Sequence, residues 1–87
     1  METNPFSGFA FNRLRFEYER RERALRDIKE DLRREMNEWE SMIDGEQIYG
    51  PRMRLRELRS QDEAKFSERT TQLQKELNQI MDVMNGN

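Results

Sequence analysis

The sequence predicts an all-α protein with two long amphipathic helices, at about 12–44 and 51–84, joined by a short linker. Three observations support this fold class. Apolar residues between Leu14 and Ile43 recur at steps of three, four or seven, with charged residues between them. A segment with Gly at both ends, 45–50, then separates this stretch from a second helical one. Charged residues make up 39% of the chain and hydrophobic residues 33%, a balance typical of disorder or of charge-rich helices, and the periodicity favours helices.

The N-terminal residues 1–11 differ in composition from everything that follows. They contain no Lys or Arg, include one Pro and one Gly, and carry Phe6, Phe9 and Phe11. We expect an irregular aromatic tail here, followed by a single helix-linker-helix unit over 12–87. So short a segment cannot bury three aromatic rings on itself. The rings therefore fold back on the helices or, as we expect, insert into a partner.

Helix 1 is expected to begin near Asn12, a residue type that can cap a helix, and to end near Asp44, where Gly45 stops it. Along its flanks, acidic residues stand four positions before arginines, the order that best stabilises a helix in water. The apolar seam of helix 1 consists of Leu14, Tyr18, Leu25, Ile28, Leu32, Met36, Trp39 and Ile43.

Helix 2 is expected to begin at Pro51, which suits a first helical turn, and to end before the terminating residues 85–87. Its seam is weaker than that of helix 1, because two of its nine positions are polar. The seam positions are Leu55, Leu58, Asp62, Phe66, Thr70, Leu73, Leu77, Ile80 and Met84.

The helices have nearly equal lengths, and a linker of about six residues suits an antiparallel hairpin. Pairing residues whose numbers add up to 98 places Leu25 opposite Leu73 and Leu32 opposite Phe66. The same pairing sets the Arg-rich start of helix 1 against the acid-rich end of helix 2. Because the seams are narrow, we expect a hairpin to be only marginally stable alone. The pattern leaves open that the helices instead lie as an extended rod along a large partner.

The residue inventory argues against catalysis. The chain has no His and no Cys, so the usual general base, nucleophile and soft metal ligands are missing. No Gly-rich loop precedes a helix in a phosphate-binding pattern. We therefore expect no enzyme, cofactor, metal site or small-molecule substrate.

Charge and hydropathy restrict the class of partner. The net charge is −2, and Glu17, Glu19 and Glu22 are interleaved with the arginines that would have to contact phosphates, so we expect no nucleic-acid binding. No apolar run approaches the length that spans a bilayer, so we expect no membrane insertion. The absence of Cys favours a reducing, cytoplasmic compartment.

Protein partners are expected at the large aromatic residues and at the arginines that open helix 2. Cations at a helix N-terminus oppose the helix dipole, and a nearby acidic surface would explain them. Arg, which outnumbers Lys thirteen to three here, suits bidentate contacts with carboxylates. The predicted partner-binding residues are Phe6, Phe9, Phe11, Tyr18, Trp39, Tyr49, Arg52, Arg54, Arg56 and Phe66.

A separate hypothesis concerns Asn4-Pro5-Phe6, which matches the tripeptide recognised by EH-domain adaptors of membrane traffic. It stands near a chain terminus, where such a motif is accessible. A three-residue match arises often by chance, so an adaptor-binding peptide is the third of three hypotheses.

Helix 2 combines an Arg-rich start at 52–59 (RMRLRELR), an aromatic residue at Phe66 and a Gln/Glu-Leu segment at 72–78 (QLQKELN). In this order of features, which covers about 30 of the 87 residues, it resembles the small helical microtubule inner proteins of ciliary and flagellar doublets. The resemblance implies a non-catalytic strut on the lumenal face of tubulin, touching neighbouring filament proteins in the axoneme. A hairpin departs from the more extended members of that class.

The alternative hypothesis is a coiled-coil subunit of a soluble hetero-oligomeric adaptor or scaffold complex. In that case Trp39 and the two seams pack on helices of other subunits.

Overall fold

A computed structural model of the chain describes residues 8–86, and it consists of two helices. Helix α1 spans Gly8–Gly45 and helix α2 spans Tyr49–Met84. Residues 46–48 connect them, and the described part of the chain contains no strand. The predicted all-α class with two long helices is confirmed.

Helix α1 begins four residues before the predicted start at Asn12, so Phe9 and Phe11 belong to the helix and not to an irregular tail. Extending an existing helix adds one hydrogen bond for each residue fixed, and no residue between Gly8 and Asn12 prevents this. The remainder of the predicted tail, with Phe6 and the Asn4-Pro5-Phe6 motif, lies outside the described residues.

Helix α2 begins at Tyr49, so the linker is shorter than the predicted 45–50. Pro51 is the third residue of α2, a position where its missing N–H removes no hydrogen bond within the helix. The connection is closed by Glu46, whose N–H donates to the Ile43 carbonyl oxygen at 3.2 Å and whose Oε1 accepts from the Ile48 N–H at 2.9 Å.

The two helices fold back on each other as an antiparallel hairpin measuring 70 × 18 × 14 Å. Polar contacts that cross between them pair Arg21 with Glu76, Trp39 with Asp62, and Glu40 with Arg59. The numbers of these pairs add up to 97, 101 and 99 respectively, close to the predicted 98. Of the two arrangements left open by the sequence, the chain adopts the hairpin.

The predicted seams form the interface between the helices. All eight seam residues of α1 and all nine of α2 are buried or half-buried, including the two polar ones. Only four hydrophobic residues of the described chain are buried: Leu25, Ile28, Ile43 and Leu77. Two helices can cover only one side of each other. The core is therefore a single line of side chains with little apolar area to offset the conformational entropy of folding.

The C-terminus of α2 follows the predicted terminating signal. The Asn85 N–H donates to the Met81 carbonyl oxygen at 2.9 Å, and the Gly86 N–H donates to that of Val83 at 3.0 Å. Gly86 has φ of +81°, in the left-handed region that glycine adopts without a steric penalty. Because the two helices are antiparallel, this end of α2 lies beside the first turns of α1.

Candidate functional site

Trp39 lies in a cleft between the helices near the connecting loop, with a volume of about 400 Å³. The cleft, termed the Trp39 cleft, is lined by Glu35, Glu38, Trp39, Met42, Leu58, Gln61, Asp62 and Lys65. The Trp39 indole N–H donates to Asp62 Oδ2 at 2.9 Å. This bond satisfies the only polar group of a half-buried ring, whose apolar body packs best against carbon. The predicted partner-binding Trp39 is thus also part of the contact between the helices.

Asp62 has a second partner in the same cleft, since its carboxyl group hydrogen-bonds to that of Glu35 across the helix interface. This hydrogen bond raises the pKa of Glu35, and burial and the negative charges of Asp62, Glu38 and Asp31 raise it further. The same bond, followed by that from Trp39, lowers the pKa of Asp62. As pH falls, Glu35 is therefore the carboxyl group of the pair that is protonated first.

A second cleft, of about 340 Å³, lies at the open end of the hairpin, where the start of α1 meets the end of α2. Its lining consists of Phe11, Arg15, Tyr18, Glu19, Glu22, Met81 and Met84. The fold brings the predicted partner-binding residues Phe11 and Tyr18 together here, and both are half-buried. The open-end cleft thus has an apolar floor made by both helices and a charged rim supplied by α1.

Two aromatic residues of α1 face away from the seam. Phe9 is 83% exposed and Phe16 is 49% exposed. The guanidinium carbon of Arg13 lies 5.5 Å from the centre of the Phe16 ring, a cation–π distance. Phe9 was among the predicted partner-binding residues and Phe16 was not. Their spacing of seven residues, off the seam, is the signal that identifies the pair in the sequence.

The loop end of the hairpin also exposes large apolar side chains. Tyr49 is 77% exposed and Ile48 is 67% exposed, and the neighbouring Met42 and Met53 are exposed as well. These four residues are termed the hairpin tip. Of them, only Tyr49 was predicted to bind a partner. The other three become a surface because the short connection places the end of α1 beside the start of α2.

The predicted arginines of α2 do not form one patch. Arg54 pairs with Glu57 within the helix at 3.0 Å, and Arg56 is exposed. Arg52 is half-buried, and its buried Nε has no hydrogen-bond acceptor among the described residues. Arg52 and Arg56, four residues apart, share one side of α2, whereas Arg54 points to a different side. Phe66, also predicted to bind a partner, is half-buried at a seam position.

Asp62 shows what the sequence pattern does not reveal. As one of two polar residues in the seam of α2, it was interpreted only as a weak point of the helix interface. In the structure its carboxylate accepts a hydrogen bond from the indole N–H of Trp39. The available signal was that a Trp within a seam needs an acceptor for its N–H, and that Asp62 is the polar seam residue nearest to it across the hairpin.

Over residues 8–86, neither helix carries an apolar stretch that could cross a lipid bilayer. The same residues contain no group of three or more acidic side chains arranged to hold a metal ion. Comparisons with protein families, with curated protein sequences and with solved structures found no significant match.

Proposed function

We propose that this chain is a non-catalytic helical hairpin that serves as a structural and binding element of a larger protein assembly. The observation behind this proposal is the distribution of apolar side chains. Among the described residues, four hydrophobic side chains are buried and eight large ones are exposed. Exposed apolar area is stabilised when another protein covers it, so a chain with this ratio gains stability from a partner.

The exposed apolar residues lie at the two ends of the rod. Phe9, Phe16, Met81 and Val83 are at the open end, and Met42, Ile48, Tyr49 and Met53 are at the loop end. Within the described chain, the middle of the hairpin (17–41 and 54–80) exposes no large hydrophobic side chain. The rod is 70 Å long. Two contact regions separated by a charged shaft suit a strut that connects neighbouring proteins.

As the specific assembly, we propose the doublet microtubule of cilia and flagella, with tubulin and neighbouring filament proteins as partners. Support comes from the resemblance of 52–78 to small microtubule inner proteins and from the two-ended apolar surface of the rod. In this proposal the chain lies on the lumenal face of the microtubule, and each end contacts a different protein.

A second candidate is a coiled-coil subunit of a soluble hetero-oligomeric adaptor or scaffold complex. The closed hairpin favours it, because the contacts of Arg21 with Glu76 and of Glu40 with Arg59 hold the helices side by side. Two antiparallel helices are what such a subunit contributes to a four-helix bundle. In that case the partner is another pair of helices instead of a filament surface.

The two candidates are distinguished by co-sedimentation of the full chain with microtubules polymerised from purified tubulin, together with proximity labelling in ciliated cells. We expect the chain to pellet with microtubules and to label axonemal proteins. Recovery of one stoichiometric helical partner away from the axoneme would support the second candidate. Failure to recover any protein would contradict both.

A variant of the hairpin tip makes this test specific. Replacing Ile48 and Tyr49 together by Ala removes exposed apolar area without touching the seam, and we expect about tenfold weaker microtubule binding. The matched control replaces Glu63 and Gln74, exposed residues of the shaft, by Ala and is expected to bind as the unmodified chain does. Equal binding by all three proteins would show that the hairpin tip is not part of the interface with microtubules.

A further inference from the structure

The first four turns of α1 carry a second face, opposite to the seam, on which aromatic rings alternate with arginines. Residues at steps of four and three share this face: Phe9, Arg13, Phe16, Arg20 and Arg23. These five residues are termed the Phe-Arg face, and all of them are exposed. Between Phe9 and Arg23 no acidic residue falls on these steps, and Asp27, four positions after Arg23, ends the face. The face is thus distinct in both charge and hydropathy.

This face carries more positive charge than the neighbouring carboxylates neutralise. Glu17, at the border of the face, lies 3.0 Å from Arg13, 2.9 Å from Arg20 and 2.6 Å from Arg21. One carboxylate therefore serves three guanidinium groups, and Glu76 of α2 contributes a second at 2.9 Å from Arg21. The hydrogen bond from Arg21 lowers the pKa of Glu17, so this carboxylate is already ionised and cannot supply further negative charge. A positive surplus remains on a chain whose net charge is −2.

The arginines of the face keep most of their surface in water. The side chain of Arg13 is 64% exposed and that of Arg20 is 59% exposed, in spite of their contacts with Glu17. Contacts between exposed ions are weak and are easily exchanged for others. These guanidinium groups can accordingly bind carboxylates of another molecule while α1 stays folded.

The rings of Phe9 and Phe16 do not contribute to the core between the two helices. Phe9 and Phe16 lie on the side of α1 that α2 does not cover, and Arg13 stacks over Phe16. Rings interspersed with guanidinium groups match a segment that presents carboxylates and apolar side chains together, because each kind of group then meets its complement.

We propose that the Phe-Arg face binds an acidic segment of a partner protein in which carboxylates alternate with apolar side chains. Its carboxylates pair with Arg13, Arg20 and Arg23, and its apolar side chains cover Phe9 and Phe16. This inference rests on the proposed function and adds the chemistry of the partner at the open end of the rod.

An anionic membrane is the less suitable occupant. Helices that lie in a bilayer surface need a broad apolar face, whereas this stripe contains two rings. A narrow mixed stripe suits a single extended or helical segment of protein better.

The test measures binding of the full chain to fluorescein-labelled peptides of about twelve residues by fluorescence anisotropy. One peptide alternates Glu with Phe, and a second has Lys in place of Glu. We expect the acidic peptide to bind and the basic one not to bind. Replacing Arg13, Arg20 and Arg23 together by Gln should weaken binding about tenfold and reduce its salt dependence. Replacing Phe9 and Phe16 by Ala should weaken binding and leave the salt dependence intact.

A matched control removes the same charge elsewhere, by replacing the exposed Arg33, Arg34 and Arg69 with Gln. All variants are measured in a buffer containing trimethylamine N-oxide, which favours the folded state, and their helicity is checked by circular dichroism. Equal weakening by the control would overturn the proposal. Preferential binding to phosphatidylserine vesicles over the acidic peptide would also overturn it. Stability of the free hairpin is a separate readout, so a failure of the proposed function is distinguishable from a failure of this inference.

Discussion

Among single residues, Trp39 and Asp62 connect α1 and α2 near the loop through a hydrogen bond between their side chains. An indole N–H that leaves water needs an acceptor, and Asp62 Oδ2 provides it at 2.9 Å from a seam position that would otherwise suit an apolar residue. The acceptor brings a negative charge beside Glu35. The contact that orients Trp39 therefore also makes this part of the hairpin sensitive to pH.

The contribution of Glu35 and Asp62 to the stability of the folded hairpin is expected to be largest in acidic solution. Since the pKa of Glu35 is raised in the folded state, its contribution to stability is complete below the ordinary value of 4.5 and is lost as pH rises through the raised pKa. Since the pKa of Asp62 is lowered, its contribution is complete above the ordinary value of 3.8 and is lost as pH falls through the lowered pKa. Between pH 3.8 and 4.5 both contributions are present. Other charged residues also face this pair. The charges of Glu38 and Asp31 act on Glu35, and the charge of Lys65 acts on Asp62.

The variant Glu35→Gln imitates the protonated carboxyl group at all pH values. We expect it to raise helicity at neutral pH and to remove most of the additional stabilisation that acidification gives the unmodified chain. Ellipticity at a helical wavelength and the emission of Trp39 between neutral and mildly acidic pH measure both effects. The matched control is Glu30→Gln, an exposed position on α1, which should respond to pH as the unmodified chain does. An unchanged pH response in Glu35→Gln would contradict the assigned role of the Glu35–Asp62 pair.

Along each helix, the spacing of apolar residues determines which side is covered. Because charged residues occupy most other positions, the seam could be predicted residue by residue, including the polar positions Asp62 and Thr70. The helix starts were less predictable. Gly8 and Tyr49 begin their helices earlier than the capping signals at Asn12 and Pro51 indicate, because extending a helix by one turn costs little free energy.

The partner-binding candidates were less predictable than the fold, for a physical reason. Phe11 and Tyr18 share a cleft only because Met81 and Met84 arrive beside them through the hairpin, which is a long-range consequence of folding. Of the arginines near the start of α2, Arg54 points to a different side of the helix from Arg52 and Arg56, although all three are close in sequence. The Phe-Arg face of α1, in contrast, is visible in the sequence once the side opposite to the seam is examined.

One substitution is expected to stabilise the N-terminus of α2. Ile48 occupies the N-cap position with an extended backbone (φ −89°, ψ 128°) but has no side-chain acceptor, and the first turn of α2 has no acidic residue. Replacing Ile48 by Asp supplies an acceptor for the free N–H of Gly50 and a negative charge at the positive end of the helix dipole. We expect about 1 kcal/mol of additional stability, measured by thermal unfolding.

The control for this substitution is Gln47→Asp, which adds the same charge one residue outside the cap and should have a smaller effect. Ile48 also belongs to the exposed hairpin tip, so Ile48→Asp should stabilise the free chain while weakening partner binding. Lower stability in Ile48→Asp than in Gln47→Asp would contradict the assigned N-cap.

For the whole molecule, the relevant feature is the balance between a thin core and two apolar ends. Four buried hydrophobic side chains join helices of 38 and 36 residues, and the exposed large ones gather at the ends of a rod 70 Å long. A small domain without disulfides or metal ligands usually needs a larger core to fold alone. We therefore infer that the assembly supplies the missing stability at both ends.

The most direct test of this dependence is circular dichroism combined with sedimentation of the isolated full chain, over a range of concentrations in dilute buffer. We predict incomplete helicity, a broad thermal transition at the lowest concentrations, and a rise in helicity when trimethylamine N-oxide is added or when chains associate. A fully helical monomer that unfolds cooperatively at the same temperature at every concentration would contradict the claim that the hairpin depends on a larger assembly.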